Sequence, residues 1–258
     1  AQRLRALTGN ENITSEGEIE NTRLTLCGLI IDSLWRPIQI SLLEPMVLSI
    51  NLYLSLAYSI VYLWFEAFPI FFQDMRGFSK IELGFTYLST VVGGILGAFL
   101  YIPISQRTFT SKMLANKDMT PEVFLPSAIY GSFIMPFGLF IFGWTATTDI
   151  HWIFPLIGAT LFSFGCFFIF QALYSYLSMS FWRFLASVFA GNDLFRSVMA
   201  GCFPLFARAL YKVHSIKTHP VAIGSTILGA ICVAMILIPV TFYLKGPQLR
   251  ATSKYSGQ

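Results

Sequence analysis

Charge is what this sequence has least of. Only 12% of its 258 residues are Asp, Glu, Lys or Arg, against about 25% in soluble domains. A chain so poor in charge cannot cover a water-facing globule of this size, and its mean hydropathy of +0.66 points the same way. Histidine is scarce too: His151 borders an apolar run, and His214 and His219 share a polar stretch. There is no His-x-x-x-His, no pair of aspartates and no nucleophile triad. The pattern therefore implies no enzyme, no metal and no cofactor. The four cysteines, Cys27, Cys166, Cys202 and Cys232, have no metal-ligand spacing, and three sit inside apolar runs, which argues against a disulfide or zinc framework. Basic residues give a net charge of +4, but they lie between the apolar runs and form no stripe, so no nucleic-acid partner follows. The first methionine is Met46 and no secretory leader precedes it, so the chain reads as a piece of a longer protein, cut on its N-terminal side.

Long hydrophobic runs are what the sequence has instead. Six of them, 46–72, 83–104, 124–144, 150–176, 182–207 and 221–244, each meet the roughly 20 residues a helix needs to cross a bilayer. Strands of a membrane barrel are about 10 residues of alternating polarity, and these runs are continuous and twice as long. The expected class is all-α: a polytopic bundle of six membrane helices over 45–244, a leader over 1–44 and a tail over 245–258. In the leader, Cys27, Ile30, Ile31, Leu34 and Trp35 fall on one helical stripe. This reads either as a short helix on the membrane face, ended by Pro37, or as a linker. Eleven Lys and Arg residues lie on the side of the two chain ends, against five on the other side, with Arg196 inside a run. By the positive-inside rule both ends face the cytosol.

Ionisable residues inside a span cost roughly 2.5–3.5 kcal/mol each, so they face a cavity or a partner. Asp193 and Arg196 lie three apart in the fifth run, and Glu66 lies in the first. They are candidates for proton coupling, or, for the first two, a structural ion pair. Asn51, Ser55, Tyr58, Tyr62 and Glu66 step by 4, 3, 4 and 4 and so share one helix face. Phe189, Asn192, Arg196, Met199 and Phe203 make a similar stripe, and Gln171 and Tyr174 add polarity to the fourth run. Candidate substrate contacts are Tyr58, Tyr62, Phe65, Gln171, Tyr174, Asn192 and Phe203, with packing as the competing reading of the tyrosines. The third and sixth runs carry no ionisable residue and suit peripheral, lipid-facing positions. Gly93 and Gly97 form a Gly-x-x-x-Gly, either a close-packing device or ordinary membrane-helix glycine.

Several strings resemble one family. They are Ala1-Gln2-Arg3-Leu4-Arg5, Leu34-Trp35-Arg36-Pro37-Ile38 with Glu44-Pro45, and Ile60-Val61-Tyr62-Leu63-Trp64-Phe65-Glu66-Ala67-Phe68-Pro69. The longest, Arg183-Phe184-Leu185-Ala186-Ser187-Val188-Phe189-Ala190-Gly191-Asn192-Asp193-Leu194-Phe195-Arg196-Ser197, runs on to Phe203-Pro204-Leu205-Phe206. They resemble the fungal multidrug-resistance drug:proton antiporters of the major facilitator superfamily, in the branch linked to benomyl, fluconazole and cycloheximide resistance. The resemblance covers nearly the whole chain. It implies the central loop plus helices seven to twelve, the C-terminal half of a twelve-helix fold, at the plasma membrane. It further implies drugs and protons as transported species, with the lipid bilayer and the N-terminal six-helix half as partners. The segment 105–122 lacks a clear Gly-Arg-Arg gating motif. Two alternatives stand beside export: a transporter of polyamines or another defined solute, and a non-transporting membrane remnant.

Overall fold

The first long apolar run becomes helix α2, Pro45–Phe68, which begins on a proline whose missing N–H lies among the free donors of the first turn. Sequence reading ends this run at Pro69 and Gln73-Asp74, but the chain continues helically. Pro69 cannot donate to the carbonyl of Phe65, and the helix widens into a π-helical segment, Pro69–Met75. It stops at Gly77, whose φ of +72° suits only a residue without Cβ. There the N–H of Gly77 donates to Gln73 O (3.0 Å) and that of Phe78 to Phe72 O (2.9 Å), closing the helix end. A computed structural model describes residues 26–114, 120–213, 221–253 and 255 of the chain; the leader over 1–25 lies outside them.

The remaining helices follow the apolar runs with shifted ends. Helix α1, Leu26–Leu43, passes through Pro37 instead of ending there. Pro37 is buried, and its carbonyl and Ser41 pack so closely on Gly191 that a Cβ there would overlap Ser41 Oγ. The stripe at Cys27, Ile30 and Ile31 lies outside the described side chains. Ser79 and Glu82 form a capping box that starts α3, Lys80–Thr86. After a break at Tyr87 comes α4, Leu88–Leu114, which runs beyond the expected end at 104. A 3-10 turn, Pro121–Phe124, leads into α5, Leu125–Thr145. Helix α6 is Ile153–Ser180 and, after the turn Trp182–Phe184, α7 is Leu185–Val213. The last run is two helices, α8, Ala222–Met235, and α9, Leu237–Thr252, joined at Ile236.

Among the described residues, five helical segments are long and apolar enough to cross a membrane: Pro45–Met75, Lys80–Ser111, Pro121–Thr145, Ile153–Ser180 and Ala222–Ala251. Helix α7 has ample length at 29 residues but carries Asn192, Asp193 and Arg196, and is not among them. The class is all-α, in a membrane setting.

Glycines determine how the bundle closes. Lipid is as apolar as leucine, so helices in a membrane associate through close contact and polar bonds. Helices α5 and α6 touch along their length at Gly131, Gly138, Gly158 and Gly165. A Cβ on Gly138 would lie 2.6 Å from Gly158 O, and one on Gly131 would lie 2.7 Å from Gly165 O. Gly93 and Gly97 of α4 lean on Thr160, Ser163 and Phe167 of α6, so this Gly-x-x-x-Gly is a packing device. Helix α2 packs chiefly on α7, and also on α1 and α6. Its Trp64 is buried in a ring cluster with Phe142 (5.2 Å between centroids), Phe162 (4.6 Å) and Phe68 (5.6 Å).

The expectation that the third and sixth runs are the peripheral ones needs correction for the third, with 44% of its most apolar window buried; the sixth, at 33%, is among the less enclosed spans. The least enclosed span is the second, Lys80–Ser111, with 22% of its most apolar window buried. Lack of ionisable residues is a poor guide here, because lipid and the protein interior are both apolar. Helix α5 is drawn inward by its glycines, while α4 leaves Val91, Ile95, Phe99 and Ile102 exposed.

Polar contacts fasten the two ends of the bundle. At one end Arg250 pairs with Glu122 (2.9 Å), Arg36 lies over the Phe184 ring (5.6 Å) and Tyr255 meets Phe184 edge-on (5.4 Å). At the other end the Arg76 guanidinium donates to Thr147 O (2.6 Å), Thr148 O (3.3 Å) and Ile150 O, tying the end of α2 to the α5–α6 loop.

Candidate functional site

The polar residues of three helices meet in one chain of hydrogen bonds. Asn51 of α2 is fully buried and accepts at Oδ1 from Asn192 Nδ2 of α7 (2.8 Å). Asn192 Oδ1 accepts from the Tyr174 hydroxyl of α6 (2.8 Å). That hydroxyl accepts from Arg196 Nη1 (3.2 Å), and Arg196 Nη2 donates to Asp193 Oδ1 (2.7 Å). Three-apart spacing on α7 puts Asp193 and Arg196 on one face, as expected. The chain runs from the interior outward: the Asn192 side chain is enclosed, Arg196 is 24% exposed and Asp193 is 63% exposed.

An aromatic wall stands beside it. The Arg196 guanidinium lies 4.6 Å over the Tyr58 ring, a cation–π contact. Tyr58 and Tyr62 are 5.0 Å apart by centroid and share a hydroxyl–hydroxyl hydrogen bond of 3.1 Å. Phe189 packs on the other side of Tyr174 (5.2 Å). Tyr58, Val61 and Arg196 line a cavity of about 360 Å³ that also takes in Thr90 and Gly94 of α4 and Ser163 and Phe170 of α6. Nε of Arg196 and Nδ2 of Asn51 are buried without a hydrogen-bond partner among the described residues. Of these two residues Arg196 lines the cavity, and its cation favours a polar or π-rich occupant there.

This open cavity joins a wall of mutually tilted rings to a fixed cation, with an exposed carboxylate paired to that cation, on helices of membrane-spanning length. Comparison with known proteins gives it a setting. The chain is 53% identical over 257 residues to the cycloheximide resistance protein of Candida maltosa, matching 99% of this chain and 47% of the relative. It is 38% identical over 256 residues to fluconazole resistance protein 1 of Saccharomyces cerevisiae, matching 99% of this chain and 46% of the relative. The chain is a homologue of fungal drug-resistance transporters. A third relative, named "Probable drug/proton antiporter YHK8" in Saccharomyces cerevisiae, is 34% identical over 257 residues, 99% of this chain and 49% of its own. The chain spans about half the length of these relatives. No family model and no solved structure matches the chain. Apolar helices and transporter homologues together make this a multi-pass membrane protein.

The fold brings together Tyr58, Tyr62, Tyr174, Asn192, Asp193 and Arg196 from the sequence-predicted set. Phe65 is 53% exposed and continues the wall outward, edge-on to Tyr62 (5.7 Å) and tilted against Tyr87 (5.5 Å). Glu66 is half-buried on the same helix and interacts electrostatically with Tyr87. Two residues fall elsewhere. Gln171 lines a separate cavity of about 380 Å³ with Tyr101, Ser105 and Gln106, because it points toward α4 rather than α2. Phe203 sits about two turns beyond Arg196 on α7 and packs on Phe206 (4.9 Å). Sequence reading missed Thr90, Gly94, Ser163 and Phe170. Their one available signal was proximity to Gly93 and Gly97, which press α4 onto α6.

Proposed function

We propose that the chain is the C-terminal six-helix half of a twelve-helix exporter of drugs and other small xenobiotics, driven by proton entry. In this reading it resides in the plasma membrane, α7 is the sixth span, and both ends lie in the cytosol. The observation that carries the proposal is the clustering of polar and aromatic groups from α2, α6 and α7 on one open face. A polar face on a membrane bundle needs a second body, and the relatives are long enough to supply one. The mechanism is alternating access, with this half rocking against the N-terminal half around a site near the midplane.

The chemistry divides by residue. Tyr58, Tyr62 and Phe65 offer flat contact to apolar drugs and a ring face to cations. Glu66 and Asp193 are the carboxylates that can exchange a proton for substrate, so protonation and drug binding are coupled. Tyr174, itself bonded to Asn192, and Asp193 hold Arg196 in place. The test is a resistance profile in a drug-sensitive fungal host carrying the full-length protein, with its level at the membrane measured alongside. Glu66→Gln is expected to lower resistance about fivefold, near the low end of coupling between two sites, with the protein level unchanged. Normal resistance in Glu66→Gln and in Asp193→Asn would remove both carboxylates from the proton path.

A further inference from the structure

A second cavity, of about 460 Å³, opens where α1 meets the start of α7. It is lined by Arg36, Arg183, Phe184, Ala186 and Ser187. Two guanidiniums converge on it from different elements, and none of the described residues of its lining is acidic. Phe184 forms the floor: the Arg36 guanidinium lies 5.6 Å from its ring centroid, while Arg183 is 5.7 Å from the ring of Trp182. Ala186 and Ser187 belong to the first turn of α7, which follows directly on the 3-10 turn Trp182–Phe184, and the positive end of the helix dipole adds to the attraction for an anion. Neither arginine takes part in the Asn51–Asp193 chain of hydrogen bonds.

Apolar groups border the two arginines. Trp35 (59% exposed) precedes Arg36 on α1, and Trp182 (63%), whose ring lies 5.7 Å from the Arg183 guanidinium, precedes Arg183. Exposed tryptophans are the chemistry of the membrane interface, where the ring sits at headgroup level. A soluble anion gains nothing from such a border. A phosphate tethered to acyl chains gains from both parts.

We infer that this cavity binds the headgroup of an anionic phospholipid, with Arg36, Arg183 and Ser187 holding the phosphate and Trp35 and Trp182 flanking its chains. On the orientation read from the basic residues, the cavity lies in the cytosolic leaflet, which carries the anionic lipids. Because α1 and α7 both line the cavity, a bound lipid joins the leader to the helix that carries Asp193 and Arg196. The inference does not require that the protein export drugs, and its test measures binding without transport.

The test uses the full-length protein in nanodiscs of phosphatidylcholine with or without phosphatidylserine, and mass spectrometry of the lipid retained after extraction. Wild type is expected to retain phosphatidylserine several-fold over phosphatidylcholine. Arg183→Gln and Arg36→Gln are each expected to lower that preference about fivefold, the equivalent of the ~1 kcal/mol that one basic residue gains near an anionic surface. Arg107→Gln removes an exposed charge from α4 outside the cavity and is expected to leave the preference unchanged. Equal retention of the two lipids by wild type would overturn the inference. So would an equal loss in Arg107→Gln, which would mean diffuse surface attraction, or displacement of the lipid by millimolar inorganic phosphate, which would make a free anion the occupant. If an arginine variant fails to fold, the wild-type lipid comparison and the phosphate competition decide.

Discussion

Along the contact of α5 with α6, glycines let two backbones meet, and almost nothing polar crosses. Along the contact of α2 with α7, side chains hold the helices together through Asn51, Asn192, Tyr58 and Arg196. The first contact has one good geometry, because each glycine faces a backbone atom that cannot move aside. The second is made of rotatable groups and a hydrogen-bond chain that opens at one end to an exposed carboxylate. A bundle that must hold its shape while its open face changes partners can divide the work this way. The seam supplies rigidity, and the polar face supplies alternatives that differ by the strength of a few hydrogen bonds.

The sharpest way to break this comparison is to fill the seam. Gly138→Leu places side-chain atoms against the backbone of Gly158 and Phe162. We expect a loss of about 3 kcal/mol, the upper range for overpacking, seen as a fall in folded protein at the membrane for every compound tested alike. Next comes Arg196→Ala, which leaves Asp193 without its cation. The expected cost is roughly 2.5 kcal/mol, read as lost resistance that exceeds the loss in protein level. Arg183→Ala should be milder, because Arg183 already lies exposed at a helix end. Equal, small effects from the two arginines would show that Arg196 meets water.

Smaller effects sharpen the comparison. Tyr58→Ala removes the ring under Arg196, and a cation–π contact of this kind contributes about 1 kcal/mol. We expect an altered order of compounds in the resistance profile at an unchanged protein level; a uniform loss would make Tyr58 a packing residue. The smallest change is expected for Gln171→Ala, within about 0.5 kcal/mol in stability and without effect on the profile, since Gln171 lines the other cavity. A clear change of profile there would extend the substrate path toward α4.

Much of this was legible in the sequence because it is local. Runs of apolar residues are long enough to announce helices, and three- and four-residue steps placed Tyr58 beside Tyr62 and Asp193 beside Arg196 without any tertiary information. The same steps could not say that Tyr174 would bridge Asn192 and Arg196, since that depends on how α6 sits against α7. The α5–α6 seam left a trace that went unread: Gly131 and Gly138 are seven apart, as are Gly158 and Gly165, which places each pair on one helix face. The Ser79–Glu82 capping box was likewise visible as Ser-x-x-Glu. Arg76 could not be read at all, because its acceptors are backbone carbonyls more than 70 residues away, and carbonyls have no sequence signature.

The polar chain also bears on how the protein is made. Helix α7 carries Asn192, Asp193 and Arg196, and among the described residues the groups on other helices that Asn192 and Arg196 bond to are synthesised before it. Asn51 and Tyr58 lie in α2 and Tyr174 lies in α6. When Asn192 and Arg196 leave the ribosome, their acceptors and the tyrosine ring are already in the membrane. A sequence with α7 moved ahead of α2 would present the same residues to bare lipid with nothing to receive them. Helix order along the chain is therefore part of what allows so polar a segment to be inserted.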